Sequence, residues 1–276
     1  MDKAFQKFCD IMEKYHLYDD IEHLFILFSG GKDCSMMLDL LLEYNKYANF
    51  DIPYNVYAVL YPKHMYMDSG GNYLDNFTDI KEYWQDRGIA IRYEIPDNGD
   101  FDDNDRFGCK ICKKSRKHLI DAFLNEYPAH TGLVTGFTMY DALSYLNMML
   151  LKCNYDLSKI AALPDAERNE TTRMLHKMSL KECFPNGKYI IRPILPFNEQ
   201  EVCSYIAEHK IPHLTTPCKI SKYKFKRLYS AALDLYDEFP VTYQGIESFL
   251  MRNNIQLNDS GLSFEDVSDS NYFIDC

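Results

Sequence analysis

The sequence predicts a doubly wound α/β fold with a mostly parallel sheet of five strands. Short apolar segments alternate with longer amphipathic segments over most of the chain, the pattern of strands joined by crossover helices. A glycine-rich turn follows the first of these strands and opens a helix. We therefore expect the ligand site at the carboxyl ends of the strands, beside that turn.

Each element follows from the spacing of its apolar residues and from the Gly or Pro that ends it. We expect strands at 24–28, 55–61, 89–95, 132–136 and 189–194. We expect helices at 3–18, 36–47, 75–87, 112–127, 141–151, 199–209 and 222–254. Residues 155–187 are predicted to form a polar, helical excursion, and the acidic, serine-rich stretch after residue 257 is expected to be loose.

Composition narrows the class of protein. Of the 276 residues 46% are apolar, enough for a sizeable core, and no apolar run is long enough to span a bilayer. The polar, amphipathic start does not have the pattern of a signal peptide, so we expect a cytoplasmic protein with no membrane contact. The net charge of −11 argues against a broad nucleic-acid surface but leaves room for local basic patches.

The glycine-rich turn is the most informative motif of the chain. It comprises Ser29, Gly30, Gly31, Lys32, Asp33, Cys34 and Ser35. Glycines there allow backbone N–H groups to approach an anion, and the following helix N-terminus adds a favourable dipole. The turn is too short for the usual nucleoside-triphosphate loop and does not have the dinucleotide spacing. The motif indicates a phosphate site of another kind, and a merely structural turn is the alternative.

Three cysteines could share one site. Cys109 and Cys112 form a Cys-x-x-Cys pair after the third strand, and Cys218 follows the fifth strand and its helix. The pair alone fits a redox dithiol, half of a zinc site or two ligands of an iron–sulfur cluster. Basic runs at 110–117 and 219–227 flank these cysteines. Loops after alternate strands can meet above a parallel sheet, so convergence of the three thiols is geometrically plausible.

Zinc is the main alternative to a cluster. Three cysteines and one histidine make a tetrahedral zinc site, and His118 or His213 could be the fourth ligand. A third possibility is that no metal binds.

Four further cysteines lie within or beside apolar, helical stretches and are expected to fill the core: Cys9, Cys153, Cys183 and Cys203.

Taken together, the motifs resemble those of the PP-loop ATP pyrophosphatases. The order of Ser-Gly-Gly-Lys-Asp, Cys-x-x-Cys with basic residues after it, Thr-Gly, Ile-Arg-Pro and a single Cys resembles the iron–sulfur branch, the TtcA and TtuA tRNA thiolases. The resemblance implies a PP-loop ATP-binding domain over residues 1–220 and a helical C-terminal extension over 221–276. It also implies the adenine-nucleotide α-hydrolase-like fold.

The resemblance carries a set of site residues with it. The ATP-binding residues would be the seven from Ser29 to Ser35 together with Gly136. A [4Fe–4S] cluster would be held by Cys109, Cys112 and Cys218. The residues implied for catalysis, or for holding Mg²⁺ in the case of the two aspartates, are Asp33, Arg116, Lys117 and Asp141.

Two departures from the family pattern stand out. Cys34 stands where Ser or Thr is usual, with Ser35 next to it. The family pattern Thr-Gly-His-x-x-Asp-Asp reads here Thr-Gly-Phe-Thr-Met-Tyr-Asp, so that only the second aspartate is present, as Asp141. Packing under the loop is the preferred interpretation of the Cys34 thiol. The resemblance places the acidic pair of the family pattern beside the ATP and the reacting base, so the missing His and Asp fall on the part of the pattern that concerns substrate and mechanism.

The implied function is an ATP-dependent sulfurtransferase. It would adenylate a carbonyl oxygen and replace that oxygen with sulfur, taken from sulfide or a sulfur carrier. The acceptor would be a tRNA base or, in the alternative, a free base or small carbonyl compound, and the resemblance suggests a homodimer. The other hypotheses are a metal-independent adenylating ligase, a sulfonucleotide reductase and a non-catalytic nucleotide sensor.

Overall fold

The computed structural model describes residues 2–59, 75–94, 125–183, 187–215, 241–255 and 257. The described α-helices are α1 (Lys3–Lys14), α2 (Lys32–Tyr47), α3 (Asp75–Gln85), α4 (Met139–Lys152), α5 (Asp165–His176), α6 (Glu199–His209) and α7 (Tyr243–Arg252). The strands are β1 (His23–Leu27), β2 (Tyr54–Val59), β3 (Ile91–Glu94), β4 (Thr131–Val134), β5 (Lys181–Cys183) and β6 (Tyr189–Ile191). A 3-10 helix covers Leu157–Ala162.

The strands form a single sheet in the order β3-β2-β1-β4-β6-β5. The first five of these strands run parallel, and β5 pairs antiparallel with β6 at the edge. The predicted doubly wound, mostly parallel α/β fold is confirmed. The strand count was wrong, because the described sheet has six strands rather than five.

The additional strand β5 lies inside residues 155–187, which were expected to form a polar, helical excursion. Residues 155–187 do contain the 3-10 helix and α5, but the chain then turns back as β5 along β6. The three-residue strand Lys181–Cys183 has no apolar alternation that would mark it as a strand. Its pairing depends on tertiary contacts, which a single sequence does not display.

A buried ion pair is one of those contacts. Arg192 follows β6, and its Nη2 lies 3.1 Å from Oε2 of Glu182 on β5; both side chains are at most 2% exposed. Nη1 of Arg192 donates to the Ser179 carbonyl oxygen at 2.8 Å. The pair therefore joins the edge strand to the parallel sheet, and the Ile-Arg-Pro segment has a structural role.

The core packs on both faces of the central strands. Four of the five β1 residues are buried, as expected for a strand covered on both sides. Helix α1 contributes the apolar stripe that its sequence predicts, with Phe5, Phe8, Ile11 and Met12 all buried. Burial of such side chains removes apolar area from water and supplies most of the stabilisation.

The C-terminal helix α7 packs into the same core. Tyr243 is buried and its hydroxyl donates to the Met178 carbonyl oxygen at 2.7 Å, while Ile246 and Leu250 are also buried. Most of the predicted helix at 112–127, the other part of 222–254 and the tail lie outside the described residues. The division at residue 220 therefore stays a prediction. In the described part of the chain, none of the helices combines the length and apolarity needed to cross a membrane.

Candidate phosphate-binding site at the switch point of the sheet

The glycine-rich turn lies where the sheet changes direction. From β1 the chain adds β2 and β3 on one side, and β4 then pairs with the other side of β1. The turns after β1 and β4 therefore flank one crevice at the carboxyl edge of the sheet. Open α/β sheets bind their ligands at such a switch point.

Gly30 is held in a conformation that favours glycine. Its φ is +78°, in the left-handed region. A Cβ atom there would lie 2.9 Å from Phe77 Cε2 on α3 and 3.0 Å from Leu214 Cδ1 after α6. The carbonyl oxygen of Gly30 also accepts a 2.7 Å hydrogen bond from the Leu214 N–H. Two other parts of the chain thus fix the shape of the turn.

Gly136 brings the turn after β4 into contact with the start of α2. A Cβ on Gly136 would lie 2.8 Å from Cys34 Sγ, 3.0 Å from Cys34 N and 3.1 Å from Cys34 Cα. The Cys34 thiol is buried and accepts a hydrogen bond from the Ser29 hydroxyl at 3.2 Å. The interpretation that this cysteine packs under the loop is confirmed.

Lys32 is the basic residue of the turn. Its Nζ lies 2.8 Å from Oδ1 of Asp33 and 3.1 Å from Oε2 of Glu199, the first residue of α6. Burial disfavours the charged ammonium, but the two carboxylates outweigh that effect and raise the pKa of Lys32 above its ordinary value. The lysine is therefore a fixed cation at the N-terminus of α2, where the helix dipole also favours an anion.

Two buried hydroxyls line the ends of the same elements. Ser35 on α2 is fully buried and Thr135 after β4 is 3% exposed. Neither hydroxyl has a hydrogen-bond partner among the residues that the structure describes. A buried polar group without a partner is costly, and a bound water, ion or ligand is one way to satisfy it.

Asp141 has a structural contact in this structure. Its Oδ2 accepts a 2.9 Å hydrogen bond from the Thr138 N–H and lies 3.4 Å from the Thr138 hydroxyl. This is the reciprocal half of a capping box at the start of α4. The contact accounts for an aspartate at this position independently of any catalytic role. Phe137, the residue before Thr138, is buried and its ring stacks on Tyr145, so the ring belongs to the core.

The structure brings together part of the predicted site. Residues 29–35 lie next to Gly136 at the switch point. Asp141 lies five residues further along the chain, in the first turn of α4. The other predicted residues lie outside the described ranges: Cys109, Cys112, Arg116, Lys117 and Cys218. Across the described ranges, no three His, Cys, Asp or Glu side chains come together as metal ligands. His213, the alternative zinc ligand, has its Nδ1 3.2 Å from the Ile211 carbonyl oxygen.

One expectation about the remaining cysteines was half right. Cys9 and Cys153 are buried core residues as predicted, whereas Cys183 and Cys203 are exposed. Cys183 lies on the edge strand β5, and Cys203 lies on α6 with its thiol 3.7 Å from Oε1 of Glu199. Although the residue is exposed, partial desolvation of its thiol and the Glu199 charge together raise the pKa of Cys203. An apolar neighbourhood in sequence did not imply burial in either case.

Sequence reasoning missed the residues that reach the turn from a distance. Glu199 contacts Lys32, and Leu214 and Phe77 contact Gly30. The capping pattern at Asn198 does predict the start of α6. No local signal, however, connects residue 199 with residue 32. Such contacts become visible only once the sheet order is known.

Comparison with known proteins agrees with this architecture. The family model described as the phosphoadenosine phosphosulfate reductase domain matches residues 23–216. Two curated relatives are tRNA-cytidine(32) 2-sulfurtransferases. The one from Photobacterium profundum is 26% identical, over 67% of this chain and 60% of its own length. The one from Vibrio campbellii is 25% identical, over 71% of this chain and 58% of its own. The match thus spans less than two thirds of either relative.

A solved structure has the same fold. The U34-tRNA thiolase NcsA from Methanococcus maripaludis, determined with its [4Fe–4S] cluster, superposes with a TM-score of 0.59 at 19% identity. The superposition covers 91% of this chain and 77% of NcsA. The resemblance to the PP-loop superfamily and its tRNA-thiolating members is confirmed, and at this identity the structural match speaks for the fold alone.

Proposed function

The chain belongs to the phosphoadenosine phosphosulfate reductase domain family, matched over residues 23–216, and on that basis we propose that it is an ATP-dependent tRNA sulfurtransferase. The observation that carries the proposal is that two other segments of the chain meet the glycine-rich turn, which itself carries a lysine. Gly136 packs on Cys34, Leu214 binds Gly30, and Lys32 presents a fixed positive charge. The curated relatives, both sulfurtransferases of tRNA cytidine, favour a tRNA acceptor.

The first step of the proposed reaction is activation of the acceptor. A carbonyl oxygen of the base attacks the α-phosphorus of ATP, the bond between the α-phosphorus and its bridging oxygen breaks, and pyrophosphate leaves. The N–H groups of the turn and Lys32 stabilise the charge that develops on that leaving group. Asp33 and Asp141 are the proposed ligands of Mg²⁺, which is a hard cation and prefers carboxylate oxygens. Asp141 is the alternative proton acceptor.

The second step replaces oxygen by sulfur. A sulfide, free or delivered by a sulfur carrier, attacks the activated carbon, and the carbon–oxygen bond breaks as AMP leaves with the former carbonyl oxygen. A [4Fe–4S] cluster bound by three cysteines would supply an iron with no protein ligand, at which sulfide is held as a nucleophile. We propose Cys109, Cys112 and Cys218 for that role, with Arg116 and Lys117 stabilising the departing phosphate.

The neighbourhood of Leu214 supports the shared site. Cys218 follows Leu214 by four positions, a separation that an extended chain spans in roughly 14 Å, and Leu214 binds the glycine turn directly. The thiol of the exposed Cys203 is available for comparison, because it lies on α6 and is no candidate ligand.

The cluster is tested on protein purified without oxygen. We expect the wild type and a Cys203→Ala control to be brown and to contain about four irons and four acid-labile sulfides per chain, and Cys218→Ala to be colourless. Zinc in place of iron in the wild type, or equal iron in all three proteins, contradicts the cluster proposal. Turnover that survives Cys109→Ala favours the metal-independent ligase instead.

The tRNA acceptor is tested by salt-dependent binding. We expect Lys222→Glu, in the second basic run, to weaken tRNA binding and to lower its salt dependence. Lys46→Glu is the matched control, with the same change of charge. Lys46 is exposed in the last turn of α2, at the end of that helix away from the glycine-rich turn, and its replacement is expected to leave tRNA binding unchanged. If Lys222→Glu binds tRNA like the wild type, a small carbonyl compound becomes the better acceptor. Two features favour that second candidate: the net charge of −11, and the buried Phe137 at the position where the family pattern has His.

We propose a cytoplasmic homodimer as the working form, as the resemblance suggests. Light scattering at several protein concentrations tests the dimer, and a constant monomer mass contradicts it.

A further inference from the structure

Lys32 is bound to two carboxylates at once. Asp33 is its neighbour in sequence, whereas Glu199 comes from α6 on the other side of the turn. Lysine has three N–H donors and one positive charge. Among the described residues, the single positive charge of Lys32 is therefore divided between two carboxylates.

Glu199 is placed so that it can give up this contact. Its side chain is 33% exposed, and its other hydrogen-bond partner among the described residues is the Cys203 thiol, 3.7 Å from Oε1. The next acidic residue of the helix behaves differently: Glu201 accepts from both the Lys7 ammonium and the Asn198 N–H. Glu201 is committed to structure, whereas Glu199 is held mainly by the lysine of the turn.

We propose that Glu199 is an internal competitor for the phosphate site. Its carboxylate binds the Lys32 ammonium, and an incoming polyphosphate must displace it. This inference rests on the proposed function, because it requires that the turn binds the phosphates of a nucleotide. Glu199 thereby acts on affinity through Lys32 and serves as a positioning residue.

The competition discriminates between ligands by their charge. A pyrophosphate or triphosphate carries several negative charges and outcompetes one carboxylate for an ammonium at a helix N-terminus. A ligand without phosphate has nothing to exchange with Glu199. Once displaced, the carboxylate can turn into water, but it still repels the bound polyphosphate over a short distance. Removal of its charge should therefore tighten the binding of polyphosphates and leave that of adenosine unchanged.

The test is calorimetric titration of the full chain with three probes: an ATP analogue with a methylene bridge between the α- and β-phosphates, inorganic pyrophosphate, and adenosine. We expect Glu199→Gln to bind the first two about three to five times more tightly than the wild type, which is the upper part of the range for a partly exposed ion pair of up to about 1 kcal/mol. The adenosine affinity should stay within about twofold.

Glu208→Gln is the matched control. It makes the same charge change on the same helix, at an exposed position about 13 Å further along, and should shift all three affinities by less than about twofold. A second measurement uses Lys32→Ala, in which the added Glu199→Gln change should have a smaller effect, because the competed cation is gone.

Two results would overturn the inference. One is a Glu199→Gln variant that binds pyrophosphate no more tightly than the wild type; the other is a Glu208→Gln variant that gains as much. If the wild type binds neither polyphosphate, the proposed nucleotide function itself fails, and the inference with it. A normal melting curve for Glu199→Gln shows that any loss of binding is not a loss of fold.

Discussion

The contact between Gly136 and Cys34 makes a sharp prediction about stability. A Cβ at position 136 would lie 2.8 Å from Cys34 Sγ, and 3.0 and 3.1 Å from the Cys34 N and Cα atoms. Ordinary contacts of this kind are longer than 3.4 Å, so the turn after β4 must move by several tenths of an ångström. The backbone atoms of α2 cannot rotate away as a side chain could.

We expect Gly136→Ala to lower the free energy of unfolding by about 2 kcal/mol, the middle of the range for overpacked sites. For a chain of 276 residues that corresponds to a melting temperature lower by about 3–4 °C. Urea unfolding followed by circular dichroism measures the first quantity and a thermal scan the second. Nucleotide affinity should fall as well, because the two turns that flank the crevice are pushed apart.

Gly31→Ala is the matched control. Gly31 has a φ of −74°, and among the described residues an added Cβ would meet only the Ser29 hydroxyl, at 3.4 Å. We expect that variant to stay within about 0.5 kcal/mol of the wild type. Adding Cys34→Ala to Gly136→Ala should recover part of the loss, since it removes the sulfur contact but neither backbone contact. A Gly136→Ala variant as stable as Gly31→Ala would refute the apposition of the two turns.

Three further variants test other parts of the structure. Glu182→Gln should lower the free energy of unfolding by about 3 kcal/mol in a urea titration, because the buried Arg192 charge loses the carboxylate that faces it. The double variant Glu182→Leu/Arg192→Met should recover most of that loss. A loss below about 1 kcal/mol in the single variant contradicts the ion pair. Asp141→Ala should reduce turnover at least about 100-fold if the carboxylate touches the reacting atoms. Thr138→Ala, which disturbs the same helix cap, should reduce turnover only a few-fold. Equal losses of turnover in the two variants would mean that Asp141 has only its capping role. Lys32→Ala should weaken pyrophosphate binding about 10- to 100-fold in calorimetry, the value of a hydrogen bond to a charged group, and unchanged binding would exclude the turn as the phosphate site.

The parallel part of the fold could be predicted because each strand carries its own local signal. The expected strand at 24–28 corresponds to β1 (His23–Leu27), and that at 189–194 corresponds to β6 (Tyr189–Ile191). Strand β5 has no such signal, because Lys-Glu-Cys is polar and its burial depends on an ion pair with Arg192. A strand that depends on its pairing with β6 and on a buried ion pair is beyond what periodicity can show.

The candidate site also has a part that the sequence predicts and a part that it does not. The glycine turn is a local motif, and its place at the switch point follows from the order of strands and helices. The packing of Cys34 under the loop was also predictable, since a thiol in the first turn of a buried helix has little access to solvent. The partnership of Glu199 with Lys32 was not, because it depends on how α6 lies against α2. The cysteine site stays a prediction of the sequence.

The most direct test of the account is a single-turnover thiolation assay without oxygen. Protein with its iron reconstituted is incubated with unmodified tRNA, sulfide and ATP; AMP is quantified, and the nucleosides are analysed by mass spectrometry. We predict one AMP for each oxygen-to-sulfur exchange in a tRNA base, and neither product with Cys218→Ala. Sulfur-free tRNA with full AMP release, or thiolation that needs no ATP, would contradict the account.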